Sequence, residues 1–213
     1  GDLLTVDLTN AYLFVGYGAT LSAGSMTVAA DAIGFEVGDA TGTSGVSATL
    51  AVFKSTDGRT YTGLESIFPT VVVRGLSQFK FTAELTNLAI NYNATSVENG
   101  ERVGWGAVSQ TTVSVSSSES ISVSGSILLS FFDFVEMRGA FAFSYSTGVD
   151  MFVAGDSTPT SFNVTTIGLE GVDVFVGDGP YFNGMTGTNT DAVGLLLKDI
   201  DIAVALFKPA DSS

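Results

Sequence analysis

The stretch that decides the fold covers residues 81–92, with the sequence FTAELTNLAINY. Its apolar residues alternate up to Leu85, step three positions to Leu88, and then alternate again. Because the side chains of a strand alternate between its two faces, a three-residue step would turn half the strand outward. One extra residue, a β-bulge, returns both halves to the same face and bends the strand. The stretch therefore predicts a long strand with a bulge at Thr86 and Asn87.

The same three-residue step recurs along the chain, and the residues inside it are mostly small or polar. This pattern predicts an all-β fold of long bulged strands, in an antiparallel-rich sandwich or flattened barrel. A β-solenoid is the alternative. An Asp57-Gly58 turn between two alternating segments favours antiparallel hairpins instead, and the steps are spaced too unevenly for a regular coil. The steps run from Leu8 to Ala11, Ala30 to Ile33, Leu85 to Leu88, Phe134 to Met137, Leu169 to Val172, and Leu197 to Ile200.

Composition excludes several classes of function. The chain has 213 residues with a net charge of −14, so it repels nucleic acid and anionic lipid. It has no cysteine and no histidine, which removes disulfides, thiol nucleophiles, histidine bases and the usual zinc ligands. No apolar run approaches the roughly 18 residues of a membrane-spanning helix. We therefore predict a non-enzymatic protein without a membrane-spanning segment.

Late segments of the chain repeat early ones in the same order. LFVGYG at 13–18 matches VFVGDG at 174–179, DAIGF at 31–35 matches DAVGL at 191–195, and AVFK at 51–54 matches ALFK at 205–208. The agreement predicts a unit of about 155–160 residues within a single all-β region, 1–213. About one and a third copies are present, with the second starting near residue 165, as in a stretch of a longer tandem array. A split into two lobes near 93–101 is the alternative.

The Phe-Val-Gly turn, the Asp-Ala-Val-Gly phrase at 191–194 and the Ala-Leu-Phe-Lys ending resemble repeat modules of very large secreted or cell-surface bacterial proteins of the adhesin type. This resemblance implies an extracellular or cell-surface location and a structural or adhesive role in a surface protein or filament. The expected partners are neighbouring repeats or further copies of the same protein. The resemblance carries over no catalytic residue.

Five residues are candidates for binding or modification. Asp199 and Asp201 lie two apart on one strand, where two carboxylates could hold a calcium ion, the one cofactor considered. Trp105 could stack against a sugar ring, which makes a carbohydrate-binding module the alternative function. Asn93 and Asn163 each begin an Asn-X-Thr sequence, the acceptor pattern for glycosylation.

Two further interpretations have less support. An outer-membrane β-barrel would use strands of period two, but the run Thr111–Ser120 interrupts a continuous apolar outer belt. A glycosidase-like acid/base pair would need two carboxylates at a fixed separation, and the sequence does not supply that distance. The candidates for such a pair are Glu65, Asp133, Glu136 and Glu170.

Overall fold

The computed structural model describes residues 1–23, 25–38, 45–97, 100–132 and 134–210. These residues form twelve strands and two 3-10 turns, Ser77–Phe79 and Trp105–Ala107. No helix within the described ranges is long and apolar enough to cross a membrane. The strands are β1 (Asp2–Ala11), β2 (Leu13–Ser22), β3 (Ser25–Val37), β4 (Val46–Lys54), β5 (Thr60–Arg74), β6 (Phe81–Thr95), β7 (Glu119–Phe131), β8 (Val135–Met151), β9 (Thr160–Asp178), β10 (Phe182–Asn183), β11 (Gly187–Thr188) and β12 (Val193–Pro209).

Ten of these strands form one antiparallel sheet, and β10 and β11 form a small hairpin. The main path of the sheet runs β1-β4-β5-β6-β7-β8-β9-β12. The long β5 pairs with β4 along its first half and with β3 along its second half, and β2 extends the sheet beyond β3. The all-β, antiparallel prediction is therefore confirmed. The sheet is open rather than closed into a barrel, and its antiparallel neighbours do not fit the parallel coils of a β-solenoid.

The bulges lie where the apolar spacing predicts them. Asn10, Asn87, Gly171 and Asp199 have φ angles between 51° and 56°, and each lies at a shift in strand register. Asparagine, aspartate and glycine tolerate this left-handed conformation better than other residues do. The extra residue keeps the apolar side chains before and after it on the same face of the sheet.

The other two steps have different structures. The step from Ala30 lies at an irregular pairing, because residues 29–32 of β3 stand opposite Gly18 alone in β2. The predicted step from Phe134 to Met137 is not a bulge. Phe134 belongs to the turn between β7 and β8, and from Val135 onward β8 pairs with β7 in a regular register. The apolar pattern breaks at Phe134 because a turn residue need not follow the alternation of the strand after it.

The alternation of Val113 and Val115 with serine and threonine predicts a strand through Val115, and this prediction is wrong. Residues 101–118 contain a 3-10 turn and no strand. The strands on either side of this excursion pair directly with each other, from Phe81 opposite Phe131 to Tyr92 opposite Ile121. The polar interval at 93–101 therefore leads into a covering segment and does not separate two sheets. Two of its residues, 98 and 99, lie outside the described ranges.

We predict that the bulge in β6 depends on the residue at position 87. Replacing Asn87 by valine should lower the free energy of unfolding by about 1–2 kcal/mol, because a β-branched residue is strained at positive φ. Replacing it by glycine should change the value by less than about 0.5 kcal/mol, since this side chain is exposed. Chemical denaturation of both variants measures the difference, and equal stabilities would contradict it.

Candidate interaction surface

One row of residues directly opposite each other crosses the whole sheet with small or polar side chains. Directly paired residues point to the same side of a sheet, so the row defines one face, called the polar face below. Side-chain hydrogen bonds link neighbours along it, at 2.8 Å between Thr49 and Asp7 and at 2.7 Å between Ser144 and Thr166. In sheet order the row is Asp7, Thr49, Glu65, Asn91, Ser122, Ser144, Thr166 and Ala205.

The row next to it crosses the same eight strands on the opposite side with aliphatic and aromatic side chains. A single threonine interrupts it. Each bulge keeps the apolar residues before and after it on the same side of the sheet. Apolar residues therefore continue along the strands above and below this row. This side is called the apolar face. In sheet order the row is Val6, Leu50, Leu64, Tyr92, Ile121, Tyr145, Thr165 and Leu206.

The polar face is covered at one end by the segment around Trp105. The indole lies over Gly63, where a Cβ atom would come within 2.5 Å of the ring. Trp105 is 0% exposed and packs with Ala51, Val113 and Val115. Its Nε1 donates a hydrogen bond of 3.1 Å to the Asn93 side chain. The residue that could have stacked on a sugar is therefore a core residue, and that prediction is wrong.

Asn93 connects the covering segment to the sheet. Its amide nitrogen donates to the carbonyl oxygens of Val103 at 2.9 Å and Ser116 at 2.8 Å, while its amide oxygen accepts the Trp105 hydrogen bond. Asn93 is 1% exposed, so no glycan can be attached to it in the folded chain and its predicted glycosylation is wrong. Asn163 is half-buried and lines an open cleft of about 530 Å³ at the end of the sheet, and its modification stays a prediction.

The loop between β9 and β12 covers the other end of the polar face, and no pattern in the sequence indicates what anchors it. The buried Glu136 carboxylate accepts hydrogen bonds from the backbone amides of Tyr181 at 2.7 Å and Phe182 at 3.0 Å. Arg138 pairs with Asp173 at 3.2 Å and lies over the Phe182 ring. These groups come from β8 and β9, and register alone determines that they meet beneath the loop.

A third polar cluster joins β3 and β5 near the first bulge. Glu36 accepts hydrogen bonds from Tyr12, at 2.6 Å, and from Arg74. Burial alone would raise the pKa of Glu36, but the hydrogen bonds from Arg74 and Tyr12 and the charge of Arg74 hold it below its usual value. Burial, followed by the hydrogen bond and negative charge of Glu36, raises the pKa of Tyr12 to about 12. The cluster keeps Tyr12 protonated and Glu36 ionised over a wide pH range.

Nothing in the described part of the chain forms a second sheet over the apolar face. On this face Val37, Val46 and Val71 form a buried cluster where β3, β4 and β5 meet. Elsewhere its side chains are half-buried or exposed, with Val6 at 50%, Tyr92 at 41% and Leu206 at 59%. The chain exposes 12749 Å² in total. The size scaling of folded monomers gives about 9300 Å² for this mass, so on the order of 3400 Å² is in excess. Large exposed apolar patches mark interaction sites in soluble proteins.

The two aspartates predicted to bind calcium have contacts within the sheet. The Asp201 carboxylate accepts a hydrogen bond of 2.7 Å from the amide of Gly171, the bulge residue of β9. Asp199 is itself a bulge residue, and its amide donates to the Asp173 carboxylate at 3.2 Å. The described residues hold no group of three or more acidic, histidine or cysteine residues placed to ligate a metal. Calcium binding at Asp199 and Asp201 stays a prediction.

The candidate acid/base carboxylates are dispersed. Glu65 accepts hydrogen bonds from the amide and hydroxyl of Ser114 in the covering segment, and Glu136 anchors the loop after β9. Asp133 lies outside the described residues. The run Thr111–Ser120, expected to interrupt an apolar face, lies mostly off the strands, since β7 begins at Glu119.

We predict that Asn93→Ala lowers the free energy of unfolding by roughly 3 kcal/mol, because it leaves two carbonyl oxygens and the Trp105 indole without their buried partner. Asn91→Ala is the matched control. It removes the same carboxamide group from the same face of β6, at a half-buried position. It should lower the free energy of unfolding by less than about 1 kcal/mol. Urea denaturation compares the two variants, and equal losses would contradict the central role of Asn93.

We also predict that Tyr12 ionises near pH 12, above the ordinary tyrosine value of 10.0. Tyr12→Phe should remove that late step from a titration followed by ultraviolet absorbance of the phenolate. Because folding raises the pKa of Tyr12, its contribution to stability is complete below pH 10.0 and is lost as the pH rises towards about 12. An unchanged titration in Tyr12→Phe would contradict the assignment.

Comparison with protein-family models, curated proteins and solved structures finds no match to this chain. The functional argument therefore rests on the two faces and the two edges of the sheet.

Proposed function

We propose that this chain is a non-enzymatic structural or adhesive module of an extracellular bacterial surface protein or fibre, and that it acts by associating with further units of its own kind. The observation that carries the proposal is the apolar row, which crosses eight strands from Val6 to Leu206 with no covering sheet in the described part of the chain. Burying that face would remove a large unfavourable contact with water.

The size of the exposed surface supports a permanent interface. Obligate assemblies bury about 2000–5000 Å² counted over both partners together, so an excess on the order of 3400 Å² on one chain is sufficient for such an interface. The edges support the same proposal, because no described strand pairs with the outer side of β1 or β12. An open edge offers unpaired backbone groups to another strand.

The location and the bacterial setting rest on the short phrases shared with adhesin-type repeat modules. The acidic composition is compatible with an extracellular location and with association between units. A net charge of −14 makes separate units repel one another, so apolar burial has to exceed this repulsion. Salt screens such repulsion, which makes the association strengthen with ionic strength.

The role of the apolar face in self-association can be tested with two adjacent residues of β9. Ile167 lies on the apolar face and Thr166 on the polar face, and both side chains are exposed. Ile167→Lys should weaken self-association by about tenfold, or about 1.4 kcal/mol, because it places a charge in the buried surface. Thr166→Lys introduces the same charge on the other side and should leave association near the wild-type value.

Sedimentation velocity over a range of protein and salt concentrations measures both variants against the wild type. A wild-type chain that stays monomeric at every concentration would contradict the proposal, as would equal weakening by the two substitutions. Stable binding to lipid vesicles in place of self-association would assign the apolar face to a membrane surface instead.

A further inference from the structure

The strand registers repeat in the same way as the sequence. Gly16 of β2 stands opposite Gly34 of β3, and Gly177 of β9 stands opposite Gly194 of β12. In both pairs the backbones approach so closely that a Cβ atom would meet the opposite Cα, at 2.7 Å for Gly16 and 2.5 Å for Gly177. The pairing of β1 with β4 is repeated in the same way. Val6 stands opposite Leu50, and their counterparts Ile167 and Val204 also stand opposite each other.

The long strand β9 is thus the counterpart of β1 and β2 together, and β12 is the counterpart of β4 and β3. In the first unit, β5 occupies the outer edge of β4 from Ser47 to Lys54 and of β3 from Gly34 to Val37. In the second unit, no described strand pairs with the outer edge of β12. The outer edge of β4 and β3 is therefore paired with β5, whereas the corresponding edge of β12 is paired with no described strand.

The side chains near this edge repeat as well. Phe53 of β4 stacks on Tyr61 of β5, with ring centroids 6.1 Å apart, and packs against the cluster around Trp105. Its counterpart in β12 is Phe207, which is 51% exposed. Ala51 stands opposite Gly63, beneath the indole, and its counterpart Ala205 is exposed. The second unit has the contact side chains of the first without the strand and indole that cover them.

We propose that the outer edge of β12 binds a strand of the β5 type, with the sequence character of Thr60–Arg74, supplied by another unit in which the edge that β5 uses here for β4 and β3 is unpaired. The strand is antiparallel to β12 and repeats the register of β4 and β3 on β5. Ala205 then stands opposite a Gly63 equivalent, Ala203 opposite a Glu65 equivalent and Leu197 opposite a Val71 equivalent. This assignment rests on the proposed function and names the partner strand for one of its two edges.

The absence of cysteine from the chain allows a register-specific test by disulfide cross-linking. The full chain carries Ala205→Cys or Ala203→Cys, and the probe is a synthetic peptide of residues 60–74 with Gly63→Cys or Glu65→Cys. Directly opposite residues have Cα atoms about 4.5–5.5 Å apart, within disulfide range, whereas diagonal neighbours are at the limit of it or beyond. The matched pairs, 205 with 63 and 203 with 65, should form disulfides about tenfold faster than the two crossed pairs.

Two control peptides are tested against the same cysteine variants of the full chain. A scrambled 60–74 peptide tests composition, and a peptide of residues 135–151 tests strand specificity, because β8 pairs with the opposite side of β9. Both should cross-link at the background rate. In hydrogen exchange, the cysteine-free 60–74 peptide should protect amides within residues 193–208 and leave those of β1 unchanged.

Equal rates for matched and crossed pairs, or protection outside β12, would overturn the proposed register and partner. A full chain that self-associates without the matched cross-links would overturn the β12 assignment and keep the proposed function. A full chain that forms the matched cross-links but remains monomeric would retain the β12 assignment and contradict association through the apolar face.

Discussion

The alternation of side chains between the two sides of a strand is the constraint on which this structure depends. Strands of 13 to 19 residues, such as β7 and β9, must bend and still keep one side apolar. The chain achieves this with extra residues at Asn10, Asn87, Gly171 and Asp199, all in the left-handed region. Without them the apolar row would change sides partway along each strand, and neighbouring strands would present apolar residues to different layers.

The two faces of the resulting sheet differ in how they are covered. The polar face is covered within the chain, by the Trp105 segment at one end and by the loop after β9 at the other. The apolar face buries the cluster of Val37, Val46 and Val71, but no described strand lies across the row from Val6 to Leu206, and no described strand pairs with the outer side of β1 or β12. Exposed apolar residues and open sheet edges are the features through which sheets associate with other chains. The matching registers of the two units indicate how a larger sheet would continue.

The apolar spacing was enough to predict the strands, most of their bulges and the side that each residue faces, because these follow from local periodicity. The spacing failed at Phe134, where a turn interrupts the pattern, and at Val113 and Val115, whose alternation reflects packing on the sheet rather than membership in it. The burial of Trp105 and Asn93 depends on the missing side chain of Gly63, one strand away. The Arg138–Asp173 pair likewise depends on register between strands, which one sequence does not determine.

The central claim is that one apolar side continues through a bulge and becomes buried when units associate. A cysteine scan along β9, from Thr165 to Val176, tests it most directly by comparing alkylation rates in dilute and associated protein. The account predicts protection on association at 165, 167, 169, 174 and 176, with a change of parity at the Gly171 bulge, because Val172 is already buried in the single chain. Protection with an unbroken period of two through 171 and 173, or no protection at all, would contradict it.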